Sequence, residues 1–467
     1  MPDTTRVIKP RIIARVLSLV ALLLCVWPGA AAEPASRFLW LSDLHFNPAA
    51  DPQLVDALAA ADVKDWPRIL SAPRSQKFSG FGADTNWALL SSSFEAIRRT
   101  APNAKFMVVT GDILTHRFRE KFQATATQHD DEAFRRFTLK TVQFVAAQLG
   151  TLAPGKPVLL TLGNNDNDCG DYASPPGGAF LKDSGAPIAK LLGSLADESS
   201  LKDWTALGSY SVPLPSLKHH RAIVINSVYF SARYQNACAE AGGDPAMEEM
   251  RWLESQLAQA KQQKEKVWLI FHIAPGIDGY ASAHRKDGGS AAVPMWKPVY
   301  TEAFERLLTQ YHDTVSISLA GHEHVDDFRL IGGSLVQMTP GVSPVVGQNP
   351  GFRVVSFRAN GVFTDEATYY LSNLNHVLEG AGPEWKLEYS FAKTWGARQV
   401  DFESFRKLSR DIETKPEVRD RWSVLYSVSG PKEITLTQQA FPQLFCATGN
   451  HTDASFQACV QRIENRR

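Results

Sequence analysis

Val315-Ser316-Ile317-Ser318-Leu319 is a short apolar run that leads through Ala320 into Gly321-His322-Glu323-His324. The run has the length of a buried strand, and the polar string falls where such a strand stops. Four other apolar runs end in the same manner. Phe38 to Leu41 leads into Ser42-Asp43-Leu44-His45, and Phe106 to Val109 leads into Gly111-Asp112. Val158 to Leu162 leads into Gly163-Asn164-Asn165-Asp166, and Val267 to Phe271 leads into His272. Ile223 to Ile225 reads as a further strand. Between these runs, Trp87 to Arg99, Glu132 to Gln148, Ala246 to Lys264 and Tyr300 to Tyr311 read as helices. In the third, Met250, Leu253, Leu257 and Ala260 recur every three or four residues and make one apolar face. Strands alternating with helices predict an α/β fold.

The carboxyl ends of strands are where α/β sheets bind ligands. The five strings bring two Asp, one Asn and four His to those ends, a donor set suited to two transition-metal ions. With 12 His and 31 Gly in 467 residues, Gly-His-x-His is a rare accident, whereas Asp-x-His and Gly-Asp are common ones. A lone histidine is more often a hydrogen-bonded structural residue than a ligand, and Asp112 alone reads as a turn residue. The joint pattern outweighs those readings. His129, His219, His220, His284, His312, His376 and His451 have no such placement and read as surface or structural residues.

Composition narrows the classes. Lys and Arg number 49 against 49 Asp and Glu, and 44% of residues are hydrophobic. Such a chain can collapse around a core, which excludes disorder as its main state. It has no basic surplus with which to bind nucleic acid by bulk charge.

Residues 1–32 read as an export signal. Arg6, Lys9, Arg11 and Arg15 precede the apolar run Val16 to Trp27, and Ala30-Ala31-Ala32 offers a cleavage site before Glu33. The run is shorter than the roughly 20 residues a membrane span needs. Removing it takes four basic residues and Asp3, leaving 45 basic against 48 acidic residues, a net charge of −3. The expected location is secreted or periplasmic, with no integral membrane segment in the mature chain. Cys25 leaves with the signal, and Cys169, Cys238, Cys446 and Cys459 remain. An even number in an exported chain suggests two disulfides. Cys446 and Cys459 are close in sequence and are expected to pair, leaving Cys169 with Cys238, although four cysteines allow three connectivities.

A second strand cluster follows at Phe328 to Leu330, Ser334 to Met338, Phe352 to Phe357 and Ala367 to Leu371. From about Val377 the chain turns charged and helical, as in Phe402 to Ile412. The expected division is a signal peptide over 1–32, a catalytic domain over 33–376 and a helical C-terminal subdomain over 377–467. Asp171 to Gly185 and Ile277 to Met295 read as loops walling the site.

The order Asp-x-His, Gly-Asp, Gly-Asn-x-Asp, His, Gly-His-x-His resembles the calcineurin-like metallophosphoesterase superfamily. Finer features resemble its acid sphingomyelinase-like phosphodiesterase branch. These are Asp244-Pro245 through His272-Ile273-Ala274-Pro275-Gly276, Asn349-Pro350-Gly351-Phe352-Arg353-Val354, His116 four residues after Asp112, Trp385 to Tyr389, and the Cys446/Cys459 tail. The resemblance covers about residues 37–460, with no room before Asp43 for the branch's saposin-like domain. It implies a central β-sandwich flanked by helices with a small helical C-terminal subdomain. It implies Asp43, His45 and His324 on one metal, Asn164, His272 and His322 on a second, and Asp112 bridging. The metals would be divalent transition ions, zinc first, with manganese or iron as alternatives. In-line attack by a metal-activated hydroxide follows, with His116 as the acid for the leaving group.

One departure stands out. The family has His after the metal-binding Asn, and this chain has Asn165. An amide cannot deliver a proton but can hydrogen-bond a phosphoryl oxygen. Gly-Asn-Asn-Asp is also similar to endopolyphosphatases. Asp166 reads equally as a turn residue or as a carboxylate that orients a ligand, and Glu323 is expected to point away from the metals. The leading expectation is therefore a phosphodiesterase acting on a small phosphodiester or phosphoanhydride. Polyphosphate or nucleotide-pyrophosphate cleavage is the enzymatic alternative, and a non-catalytic binding module, free to lose ligands, is the third.

Overall fold

The computed structural model describes residues 35–72, 76–238, 243–285, 291–431 and 440–466. The expected export signal lies outside them. The strands in chain order are β1 (Ser36–Leu41), β2 (Met107–Val109), β3 (Val158–Leu160), β4 (Tyr210–Pro213), β5 (His220–Val224), β6 (Lys266–Ile270) and β7 (Ile277–Asp278). They continue with β8 (Val293–Pro294), β9 (Val315–Ala320), β10 (Asp327–Ile331), β11 (Ser334–Met338), β12 (Gly351–Phe357), β13 (Phe363–Leu371) and β14 (Trp385–Ser390).

Two six-stranded mixed sheets form, in the orders β14-β13-β12-β1-β2-β3 and β10-β11-β9-β6-β5-β4, while β7 and β8 pair separately. Within the first sheet β1, β2 and β3 run parallel, and β12 joins β1 antiparallel. Within the second, β5, β6, β9 and β11 run parallel. Parallel strands covered on both faces are apolar throughout, and Met107, Val108 and Val109 are all buried.

The sheets meet through large rings. Trp268 on β6 lies 5.5 Å from Phe38 on β1 and 4.8 Å from Phe363 on β13, ring centre to ring centre. Helices cover the outer faces. Helix Asp131–Leu152 begins at Asp130, whose carboxylate accepts the Ala133 N–H, and helix Pro245–Gln262 begins at Asp244 with Pro at its first turn. Side-chain capping satisfies backbone donors that a helix start otherwise leaves free. Met250, Leu253, Leu257 and Ala260 are the buried face of the second of these helices, as their spacing predicts.

The fold thus has the expected class, with differences in detail. The stretch Asp171 to Gly185 is a loop only through residue 178, because helix Ala179–Leu192 takes its second half. Trp385–Ser390 is a strand that extends the first sheet beyond β13. Helices Phe402–Thr414, Pro416–Tyr426, Phe441–Ala447 and Asp453–Glu464 follow. Among the described residues no helix is long and apolar enough to cross a membrane.

Cys446 and Cys459 are joined by a disulfide. The expected Cys169–Cys238 bond is absent, since both stand as free thiols. Pairing by elimination carries no geometry. Burial first, then the adjoining Cys238 thiol and Asp168, raise the pKa of the Cys169 thiol.

Candidate metal centre

Five parallel strands from two sheets stop at one place. Short bonds within and between the sheets hold their ends there. The Asp43 N–H donates to the Gly111 carbonyl (3.0 Å), the Gly321 N–H to the His272 carbonyl (2.9 Å) and the Ser343 N–H to the Asp43 carbonyl (3.0 Å). The Thr110 hydroxyl donates to the Ala320 carbonyl at 3.3 Å. This crowding explains two glycines. A Cβ at Gly163 would strike the Asp112 carboxylate, and one at Gly321 would strike the Ser42 hydroxyl. It also forces the backbone. Asp43, His45, Asp112, His322 and His324 all sit in the left-handed region, with φ between 40° and 75°. Non-glycine residues rarely adopt that region, and such strain persists where the surroundings over-determine it, commonly at functional sites.

The structure brings all seven expected metal ligands together. Asp43, His45 and His324 present donor atoms within 4.8 Å of one another, as do Asp112, His272 and His322. His45 Nε2 and His324 Nε2 are 3.1 Å apart, and Asp43 Oδ1 lies 3.4 Å from the latter. Asp112 Oδ2 reaches both halves, at 3.5 Å from His45 Nε2 and 3.2 Å from His272 Nε2. Asn164 Oδ1 is 3.1 Å from His272 Nε2, and His322 Nδ1 is 3.2 Å from the same nitrogen.

Backbone carbonyls set the tautomers. Nδ1 of His45 faces the Leu114 carbonyl (3.0 Å), that of His272 the Thr110 carbonyl (2.6 Å) and that of His324 the Ser343 carbonyl (3.2 Å). Nδ1–H therefore donates outward and each Nε2 lone pair faces inward. Two imidazole lone pairs 3.1 Å apart repel unless a proton or a cation lies between them. Among the described residues, the fully buried Asp43 Oδ1 has no partner in hydrogen-bonding geometry, with His324 Nε2 near it at 3.4 Å. This donor set fits divalent cations.

Electrostatics agree. Burial pushes the carboxyls of Asp43 and Asp112 up, but the imidazoles beside them, His324 first for Asp43 and His272 first for Asp112, outweigh it and hold both well below the usual range. Burial likewise opposes charge on His45 and His272, yet Asp112 and Asp43 raise both to about 9. Burial and its charged neighbour His272 depress His322 to about 3, and burial depresses His324 to about 4. The cluster's carboxylates thus demand positive charge, which two protonated imidazoles supply where no metal is bound.

His116 stacks on His45 with ring centres 4.0 Å apart. Its Nδ1 pairs with Asp84 Oδ1 at 2.8 Å, and the ring is partly exposed. Asp84 Oδ2 accepts from Thr115 Oγ1 at 2.6 Å and from the Lys121 ammonium. Asn165 is buried against Asp112, donating its backbone N–H to Oδ1 (2.8 Å) and its amide to Oδ2 (3.0 Å). The second amide N–H remains for another acceptor. Asp166 bonds the Gly163 N–H (2.9 Å) and the Leu114 N–H (3.0 Å), tying the turn that carries Asn164 to the segment that carries His116. Glu323 points away from the centre, as expected, and accepts from buried Arg329 at 2.7 Å.

Sequence reading missed Asp84, Asp171, Tyr172 and Arg233. Asp84 has no local signal. It arrives because residues 45–47 pair with Thr85, through the Thr85 N–H to the His45 carbonyl (3.1 Å) and the Asn47 N–H to the Thr85 carbonyl (2.8 Å). Asp171 Oδ1 accepts from Asn164 Nδ2 at 2.6 Å, turning Asn164 Oδ1 inward, and the Tyr172 hydroxyl meets His322 Nε2 at 3.3 Å. Both lie in a segment that sequence reading marked only as a wall.

Residues 335–466 match the family described as the acid sphingomyelin phosphodiesterase C-terminal region. The human protein named acid sphingomyelinase-like phosphodiesterase 3b is 25% identical over 429 residues, covering 87% of this chain and 86% of its own. The chain is thus similar to the acid sphingomyelinase-like phosphodiesterases over most of its length. Rat cyclic GMP-AMP phosphodiesterase SMPDL3A is 24% identical, with 93% of this chain and 94% of its own covered. A solved zebrafish dimetal phosphatase aligns at a TM-score of 0.39 and 14% identity over 72% of this chain and 96% of its own, too weak a likeness to argue from. The chain carries a donor set suited to a metal-dependent phosphoesterase, and the matched C-terminal region runs from β11 through the last helix.

Proposed function

We propose that the protein is an exported phosphodiesterase that hydrolyses a small phosphoester at a two-metal centre. The observation that carries this reading is the convergence of inward-facing nitrogen and oxygen donors from five strand ends, with a His116–Asp84 pair at their rim. Asp43, His45 and His324 would hold one ion, and Asn164, His272 and His322 the other, with Asp112 shared. Zinc suits the imidazole-rich set, as do manganese and iron. Two such ions supply Lewis-acid polarisation of the phosphoryl group and activate water near neutral pH.

The chain's own residues do the rest. As an imidazolium, with its Nδ1–H donated to Asp84, His116 would carry its second proton on Nε2 and give it to the departing oxygen. Asp84 keeps the ring turned to this task and balances its charge. Asn165 fixes the orientation of Asp112 and offers its second amide N–H to a phosphoryl oxygen. Asp171 and Tyr172 orient Asn164 and His322. The reading includes a catalytic body over 33–376 and a C-terminal helical subdomain over 377–467. The Cys446–Cys459 bond supports export, since disulfides persist in oxidising compartments.

The test is hydrolysis of bis(p-nitrophenyl) phosphate by the wild type and by Asp112→Asn, with metal analysis of both. Wild-type turnover, two ions per chain and a loss of at least about 100-fold in the variant are expected, as removal of a group stabilising the transition state costs that much. Equal activity in both proteins, no activity in either, or fewer than one ion per wild-type chain overturns the reading.

A further inference from the structure

One cation is built into the rim of the centre without a role so far. Arg233 follows the turn Ser227–Phe230, and its backbone N–H is tied to Ser231 Oγ at 3.1 Å. Its guanidinium lies 4.4 Å above the Tyr172 ring, and Nη1 donates to the Tyr172 hydroxyl at 3.3 Å. Nη2 sits 3.7 Å from Asp171 Oδ2. Both partners lead directly to the centre, Tyr172 through His322 and Asp171 through Asn164. The neighbouring backbone is pinned as well, by the Gln235 N–H on the Tyr172 carbonyl at 3.0 Å.

Arg233 is oriented, yet it is not used up. Its side chain is 69% exposed, and Asp171 is 40% exposed. A long ion pair between such groups contributes little to stability. Stacking on Tyr172 fixes the guanidinium plane and lowers the cost of ordering it when an anion arrives. The remaining N–H groups form a fork suited to phosphate.

We propose that Arg233 binds a second anionic group of the substrate, a phosphate joined to the one being cleaved. This rests on the phosphoesterase reading above and sharpens it toward phosphoanhydrides. A diester whose neighbouring group is a quaternary ammonium would instead meet a like charge at this rim.

The experiment uses the metal-loaded protein and Arg233→Gln, with Arg233→Lys as the variant that keeps charge but loses the fork. Binding of inorganic pyrophosphate and of inorganic phosphate is measured by calorimetry, and kcat and KM are measured for ATP and for bis(p-nitrophenyl) phosphate. In R233Q, pyrophosphate affinity is expected to fall about tenfold more than phosphate affinity. The kcat/KM ratio of ATP to the diester is expected to fall by a similar factor, through KM, with R233K between the two. Equal losses on both substrates, carried by kcat, would mean that Arg233 only positions Tyr172 and Asp171, and would overturn the proposal. Unchanged ratios in an active enzyme also overturn it while leaving the phosphoesterase reading intact. A wild type that cleaves neither substrate overturns both.

Discussion

Replacing Asp84 by Asn isolates the proton-delivery step. Asp84 is nearly sealed, with 4% of its side chain exposed, and accepts the His116 Nδ1–H at 2.8 Å, while His116 is 36% exposed. A hydrogen bond to a charged partner contributes about 1.5–3 kcal/mol, and the water-facing ring places this one at the lower end. That corresponds to about tenfold in rate. In D84N the amide oxygen would still accept from Nδ1–H, so the ring should keep its place and lose charge support. Asp84→Ala removes both, and about 100-fold is expected. The assay compares two leaving groups. An alkyl phosphodiester releases an alkoxide that needs the proton, whereas bis(p-nitrophenyl) phosphate releases a stable phenolate. D84N should slow the first about tenfold and leave the second within about threefold. Equal slowing of both substrates would show that Asp84 supports the fold of the site rather than proton transfer, and no slowing of either would remove His116 from the role of acid.

Other consequences follow from buried groups. Glu249 is fully buried, and burial pushes its carboxyl up to about 8 despite bonds from Ser209 and the Asn226 N–H. Between its ordinary value of 4.5 and about 8 the folded chain keeps a proton that the unfolded chain has lost. This residue therefore lowers stability as pH rises through that window, by up to about 1.4 kcal/mol per pH unit. Melting curves of Glu249→Gln should fall less steeply than wild type from about pH 5 to about pH 8, and parallel curves would refute the assignment. Opening the Cys446–Cys459 bond, which spans 13 residues, should cost about 3 kcal/mol in denaturant unfolding. Trp268→Ala empties the contact between the two sheets and should cost about 3–5 kcal/mol by the same measurement. A cost below about 1 kcal/mol would mean that the sheets are held together elsewhere.

Much of the site was legible because its donors end strands. A strand's apolar run and the polar string after it are neighbours in the chain, so Asp43, Asp112, Asn164, His272 and His322 could be placed at strand ends one by one. His116 came from the family resemblance, which places a histidine four residues after Asp112. Asp84 was not legible, because it lies 32 residues before His116 and meets it only through a pairing of residues 45–47 with Thr85. Arg233 was invisible for the same reason, since its orientation depends on Tyr172, 61 residues away. The Cys169–Cys238 pairing was read from the number of cysteines alone, and both stand as free thiols.

Sequence alone determined the α/β class, the helix faces and the candidate metal donors, because strand and helix periodicities and strand-end strings are local properties. Tertiary structure alone decided that five strand ends from two sheets share one point, which imidazole nitrogen faces inward, and which side chains, Asp84 and Asp171 among them, stand behind the candidate site. Those depend on contacts between segments far apart in the chain, where packing and hydrogen bonding, rather than local preference, choose the partner.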